Sequence, residues 1–281
     1  MTIRTATLAD IGPIADLAQD QRVRLQGWDP SYWPIAPNAR DVHPLFLHHS
    51  RTGGHSVAVV STACGRVTGY AVASSPFTFD RRAPTLWVID DLDVERGDLW
   101  NTTGRVLLAA IAARARAHGA RRLVASCAVA DSARRTAFEA SGLSLNCWFR
   151  HRSLDRWTAP RQHDDTVAFE PGLPLPHVHA LADAMSGADV VNVEGGSALL
   201  STPIPPSPCF RNDGTTALVD PVVGVHGAGL TAAVDAVEAA ARDRGDHALI
   251  VAVGPAETAL DRELDTRDYS RPVEWWTIHI T

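Results

Sequence analysis

Residues Leu218–Gly245 read "LVDPVVGVHGAGLTAAVDAVEAAARDRG". An apolar, strand-like run passes through Gly224, Gly227 and Gly229 into an Ala-rich helix closed by Gly245. The first N–H groups of a helix have no partner inside it, and the helix dipole favours negative charge there. Glycine lets that backbone approach a phosphate closely. The stretch therefore predicts a phosphate cradle between a strand and a helix. A dinucleotide fold would show G-x-G-x-x-G with an acid about twenty residues on, and here the glycine order is reversed. A nucleotide P-loop needs G-K-[ST], which is absent.

Counting outward from the loop uncovers a repeat. Val94 ends the strand before the first long helix and Val219 the strand before the second, 125 residues apart. Gly104 and Gly229 open those helices, again 125 apart. Gly119 and Gly245 close them at an offset of 126, and Leu143 and Tyr269 begin the final strands at 126. Trp148 and Trp275 follow at 127. Such constancy predicts a duplication with single-residue insertions. It is uneven: pairing "TIRTAT" with "DTVAFE" needs an offset near 164, so the second copy lacks about forty residues before its glycine loop. The missing part corresponds to a helix and one or two strands.

The first part reads β-α-(α)-β-β-β-α-β-α-β, with a hairpin joined at Gly65-Arg66, which is an α/β mixture around one sheet. A polar, proline-dotted stretch then breaks the pattern near Pro160. The domains expected are residues 1–157 and 165–281. At 281 residues the chain is long enough for both.

The formal net charge is −6, and no basic stripe favours nucleic acid. Cys64, Cys127, Cys147 and Cys209 form no C-x-x-C pair and have no histidine at zinc-like spacing, so no metal is expected. The N-terminus lacks a signal-peptide pattern, and no apolar run approaches a membrane span of about 20 residues. A soluble cytoplasmic protein is expected.

The loop resembles the pyrophosphate loop of the Gcn5-related N-acetyltransferase (GNAT) superfamily, V-x-P-x-x-[RQ]-G-x-G-x-[GA]. Val219, Pro221, Gly227 and Gly229 match at full spacing, while Gly224 stands in the Arg/Gln place. In the first copy Val94, Gly104 and the helix opening "GRVLL" match, but Leu99, Trp100 and Thr102 replace the expected Arg, Gly and Gly. The strand "WVIDDLDV" and the hairpin "VAVVSTACGRVTGYAVAS" also look like the family's. The resemblance implies two tandem GNAT folds of mixed, mostly antiparallel sheet with flanking helices, the second copy shortened.

It also implies chemistry. Acetyl-CoA, or another acyl-CoA, would lie where the fourth and fifth strands splay, its pantetheine pairing with strand backbone at Leu92 and Val94. Asn101, Thr102, Thr103, Gly104 and Arg105 would form one cradle, and Val219, His226, Gly227, Ala228 and Gly229 the other. A carboxylate would take the proton of the acceptor amine, with Asp91 the first choice beside Asp90 and Asp93. Strand alternation places Asp91 and Asp93 on one face and Asp90 on the other. The family's thiolate-protonating Tyr is replaced by Phe138, and by Leu264 in the second copy. Trp28, Tyr32 and Trp33 in "GWDPSYW" would line the acceptor pocket. The function expected is acyl transfer to an amine of a small molecule, catalysed in the first half. The alternatives are a non-catalytic acyl-CoA-binding or scaffold protein, and an aminoacyl-tRNA-dependent transferase, which the net acidity opposes.

Overall fold

The computed structural model describes residues 1–52, 56–75, 86–154, 189–193, 196–201, 209–210, 215–223 and 228–280. The boundary expected between 157 and 165 lies outside these residues. The chain divides into two compact units: Met1–Asn146 with Pro208–Phe210 and Glu274–Thr281, and Cys147–Ser207 with Arg211–Val273.

In the first unit β1 (Thr2–Thr5), β2 (Ser56–Ala63), β3 (Arg66–Ser74) and β4 (Leu86–Val94) pair antiparallel in sequence order. β5 (Arg122–Ala128) joins β4 in parallel. The β2–β3 turn is Cys64-Gly65, with φ of 49° and 78°, one residue earlier than the sequence places it. Two successive positive φ values suit the twist of a two-residue hairpin.

The helices of this unit are α1 (Ile11–Trp28), α2 (Ala39–Thr52), α3 (Arg105–Ala117) and α4 (Ser132–Ala140). Ile14, Ala15, Ala18, Gln21, Arg22 and Leu25 form the buried stripe of α1, at the three- and four-residue steps of one helix face. A capping box starts the segment: the Thr7 N–H and hydroxyl donate to Asp10 at 2.7 and 2.8 Å, and Arg4 pairs with the same carboxylate at 2.6 Å. The core gathers Val57, Val59, Ala71, Trp87, Leu92, Leu107, Ile111 and Phe138 between the sheet and α3–α4.

In the second unit β7 (Asp189–Val193), β8 (Gly196–Ser201) and β9 (Thr216–Val223) run antiparallel, and β10 (Ala248–Val253) lies parallel to β9. α5 (Ala228–Arg244) follows β9 and α6 (Thr258–Asp265) follows β10. Both strands of a β7–β8 hairpin are present ahead of β9. The repeat itself is written in backbone geometry. Gly119 and Gly245 both take positive φ, 90° and 88°, where α3 and α5 end. Gly142 and Asp268 do so before the last strands, at 81° and 59°.

Those last strands change places. β6 (Ser144–Ser153) pairs antiparallel with β10, from Trp148↔Val253 to Ser153↔Ala248. Its Arg150 reaches Asp261 at 2.7 Å and also pairs with Asp265, and the Trp148 indole N–H donates to Asp261 at 2.8 Å. β11 (Ser270–His279) is the neighbour of β5, and its residues from Glu274 onward belong to the first unit. There Trp276 packs edge-on against Phe138 at 6.2 Å, and Arg135 pairs with Glu274 at 3.1 Å. Each unit is completed by a strand from the other half of the sequence.

Candidate functional site

The site elements are the two strands that precede long helices, β4 and β9. On β4 the ladder pairs Ala73 with Ile89 and Val72 with Asp91, leaving Asp90 as an extra residue, a β-bulge. The bulge resets alternation. Trp87 and Ile89 before it share the α3-facing core with Leu92 and Val94 after it. Asp91 and Asp93 consequently turn to the face covered by α1 and α2. Asp90 is the exposed extra residue and does not stand in line with Leu92, as strict alternation would have it.

Asp91 is held from two sides. It accepts from the Tyr70 hydroxyl at 2.8 Å, and His43 Nε2 lies 3.2 Å from its other oxygen. Burial pushes its pKa up, but His43, Tyr70 and the charge of Arg22 outweigh burial and leave it below the ordinary carboxylate value. Tyr70 is shifted the other way, its phenol pushed well up by burial and by the carboxylates of Asp91 and Asp93. Asp93 is 1% exposed and sits between two arginines, Arg24 at 2.5 Å and Arg134 at 3.2 Å. Burial raises its pKa in spite of both. Arg134 is also paired with Asp131 at 3.2 Å, and its guanidinium lies over the Trp100 ring, 4.6 Å from the centroid.

The β4–β5 ladder ends at Ile89↔Ala125 although β4 runs on to Val94 and β5 to Ala128. That is the splay expected of an acyl-CoA site. The residues that should cradle the diphosphate beside it do not fit one. Gly97–Leu99 form a 3₁₀ turn and Trp100–Gly104 a π turn running straight into α3. The Leu99 N–H donates to Arg96 O, the Trp100 N–H to Gly97 O, and the Arg105 N–H to Trp100 O and Thr102 O. Gly104 is helical, with φ −58° and ψ −47°, and a Cβ on it would lie 2.4 Å from the Trp100 ring. This glycine makes room for an indole. Thr103 is buried with its hydroxyl on the Met1 sulfur, Asn101 and Thr102 are exposed, and Arg105 donates to Ala140 O. The physical cause lies in the replacements noted in the sequence: a bulky Trp100 in a glycine place is buried by winding the loop into helix.

In the second unit the β9–β10 ladder ends at Val219↔Val251, with β9 continuing to Val223 and β10 to Val253. β9 also bulges: Val219 pairs with Leu200 and Val222 with Ala198, so Asp220 and Pro221 face one residue. The end of the parallel ladder and the bulge both make Val219 the counterpart of Ile89, an offset of 219 less 89, or 130. The partners Ala125 and Val251 keep 126. The match of Val219 to Val94 is therefore five residues out of register, because the second copy has a shorter run from strand to helix. Nothing in the sequence marks the aspartate at the second bulge, Asp220, and only the ladder singles it out. Gly224, His226 and Gly227 lie outside the described residues. Ala228 and Gly229 open α5.

The aromatic loop packs on itself. Tyr32 and Trp33 meet edge to face at 4.6 Å, and Trp33 lies 5.2 Å from Phe210. Asp29 ties the turn by accepting from Ser31 and Tyr32. Trp28, at the end of α1, is 42% exposed. These three residues are not brought to the β4 carboxylates by any contact described. Phe138 and Leu264, which stand where the resemblance places a thiolate-protonating hydroxyl, are fully buried. Among the described residues no group of His, Cys, Asp and Glu could hold a metal, and no helix is long and apolar enough to cross a membrane.

No protein-family model matches the chain, and no curated protein does. Solved structures are similar to it. An N-acetyltransferase from Staphylococcus aureus Mu50 is 18% identical, covering 56% of this chain and 89% of its own, with a TM-score of 0.43. A ribosomal-protein-alanine N-acetyltransferase from Brucella melitensis is 21% identical over 56% of this chain and 94% of its own, TM-score 0.43. A tandem GNAT protein from the clavulanic acid biosynthesis pathway is 14% identical and covers 100% of this chain and 98% of its own, TM-score 0.43.

Proposed function

We propose that the protein transfers an acyl group from an acyl-CoA, acetyl-CoA in the first instance, to the amine of a small molecule, with the acyl-CoA held by the second unit. The observation that carries this reading is the end of the β9–β10 ladder at Val219↔Val251, past which β9 leads through a glycine loop into the first turn of α5. A strand edge left open beside a helix N-terminus offers backbone to an extended ligand and N–H groups to its phosphates. Val219, Ala228 and Gly229, with His226 and Gly227 of the loop, are the residues proposed to hold it.

An acceptor alkylamine has a pKa near ~10.4 and must lose a proton to attack. Asp220, at the bulge, is proposed to take that proton. On β4, Asp91 and Asp93 are less suited, because they are already bound by His43, Tyr70, Arg24 and Arg134. Release of free thiol from acetyl-CoA, followed across a panel of small amines, tests the reading. Asp220→Asn should then lower kcat by about 10²-fold or more, and an unchanged kcat rejects Asp220 as the base.

A second reading is a non-catalytic acyl-CoA-binding protein. The apolar Phe138 and Leu264, which have no proton to give a leaving thiolate, favour it. Binding of acetyl-CoA without thiol release to any amine would select this reading.

A further inference from the structure

We propose that the first unit is a closed copy of the fold that takes no acyl-CoA, its cradle filled by the chain's own Trp100 and Arg134. The proposal rests on the acyl-CoA reading above and assigns that ligand to one unit of the two.

Three independent observations carry it. The first concerns donors. A diphosphate needs N–H groups that the helix has not used, yet those of Leu99, Trp100 and Arg105 are bonded within the turn. The helical backbone reaches from α3 back to Trp100, so α3 presents no free start at Gly104.

The second is space. The Trp100 ring is 2% exposed, covers Gly104 and meets Phe138 edge-on at 6.4 Å. It occupies the ground that a glycine would leave to the ligand.

The third is charge. Arg134, stacked on the Trp100 ring of this turn, is 6% exposed. It is neutralised by Asp93 and Asp131, while Arg24 is spent on Asp93. Two carboxylates against two guanidiniums leave this buried cluster no spare charge for an anion, and the exposed Arg105 beside it donates to the Ala140 carbonyl. This arrangement reproduces internally what a bound ligand would otherwise provide: an anchor for the turn and a partner for the arginine.

The test uses the full-length chain. Acetyl-CoA is titrated calorimetrically into the unmodified protein and into Gly97→Trp, a substitution into open space on the first-unit turn. Amide hydrogen exchange is followed without ligand. We expect one acetyl-CoA per chain, a Kd changed less than about twofold by Gly97→Trp, and Trp100 and Arg105 amides protected at least ~100-fold in the free protein. Two acetyl-CoA per chain, a tenfold weaker Kd in Gly97→Trp, or amides exchanging at unstructured rates would overturn the proposal. No binding by the unmodified chain would overturn the acyl-CoA reading instead, and protected amides would still support a closed first unit.

Discussion

Arg134 and Trp100 are stacked, guanidinium over indole at 4.6 Å, and the two are buried together. Truncation to Trp100→Ala removes the ring that covers Gly104 and leaves a void in the core. The expected loss is about 3–5 kcal/mol, read as a shift of the urea midpoint. A loss under about 1 kcal/mol would mean that the ring is not packed as described.

Asp91 and Asp93 bear structure on this reading, and catalysis runs elsewhere. Asp93→Asn faces Arg24 and Arg134 with a neutral amide and should cost about 3–5 kcal/mol, the usual penalty for breaking a buried pair from one side. Asp91→Asn should change kcat less than about threefold with any accepted amine. A fall of about 10²-fold or more would return the base to β4.

Asp268 holds a left-handed conformation, φ 59°, at the place where the first copy has Gly142. A side chain in that region costs up to roughly 1–2 kcal/mol, less for an aspartate. Asp268→Gly should therefore stabilise the chain by roughly 0.5–1 kcal/mol. Thermal unfolding reads this directly, and a lowered Tm would contradict the assignment.

The capping pair near the N-terminus predicts an acid response. The bond from Arg4 holds the Asp10 carboxyl down to about 2, against 3.8 normally, with burial opposing. Folded Asp10 gives up its proton more readily than unfolded Asp10, so its contribution is complete above the unfolded value and is lost as the pH falls from about 3.8 through about 2. Asp10→Asn should remove about 1–2 kcal/mol at neutral pH and little near pH 2. Equal losses at both pH values would rule out the ion pair as the source.

The crossed strands predict that the halves need each other. Expressed alone, residues 1–157 lack β11 and residues 165–281 lack β6. Each should be insoluble or unfolded by circular dichroism, and the two co-expressed should form a soluble complex. Two halves that each fold well alone would contradict the pairing of β6 with β10.

Much of this was legible beforehand. Val94 and Gly119 announced a strand and a helix end, and the recurrence of Gly119 at Gly245 and of Leu143 at Tyr269 announced the repeat. The helix ends at Gly119 and Gly245 kept the counted offset because a left-handed cap fixes the residue as well as the position. β4 and β9 did not, because the run from strand to helix is five residues shorter in the second copy, and the bulge in each strand adds a residue without disturbing local composition. Asp90, Asp91 and Asp93 offered no alternation by which to detect one. The fate of the first cradle was half visible. Trp100 stood out as a departure, but whether a bulky residue hangs over a loop or winds it into helix depends on Arg134, Asp93 and Phe138, brought there by tertiary packing. The exchange of β6 and β11 left no local mark, since a strand's sequence specifies its two faces and says little of which edge it will join.

The exchanged strands also bear on inheritance. A duplicated copy that has lost its ligand is ordinarily free to erode and be deleted. Here the first copy carries β6, on which the second unit's sheet is completed, and it receives β11 in return. Deleting either copy would strip a strand from the one that remains, so the two must be passed on together.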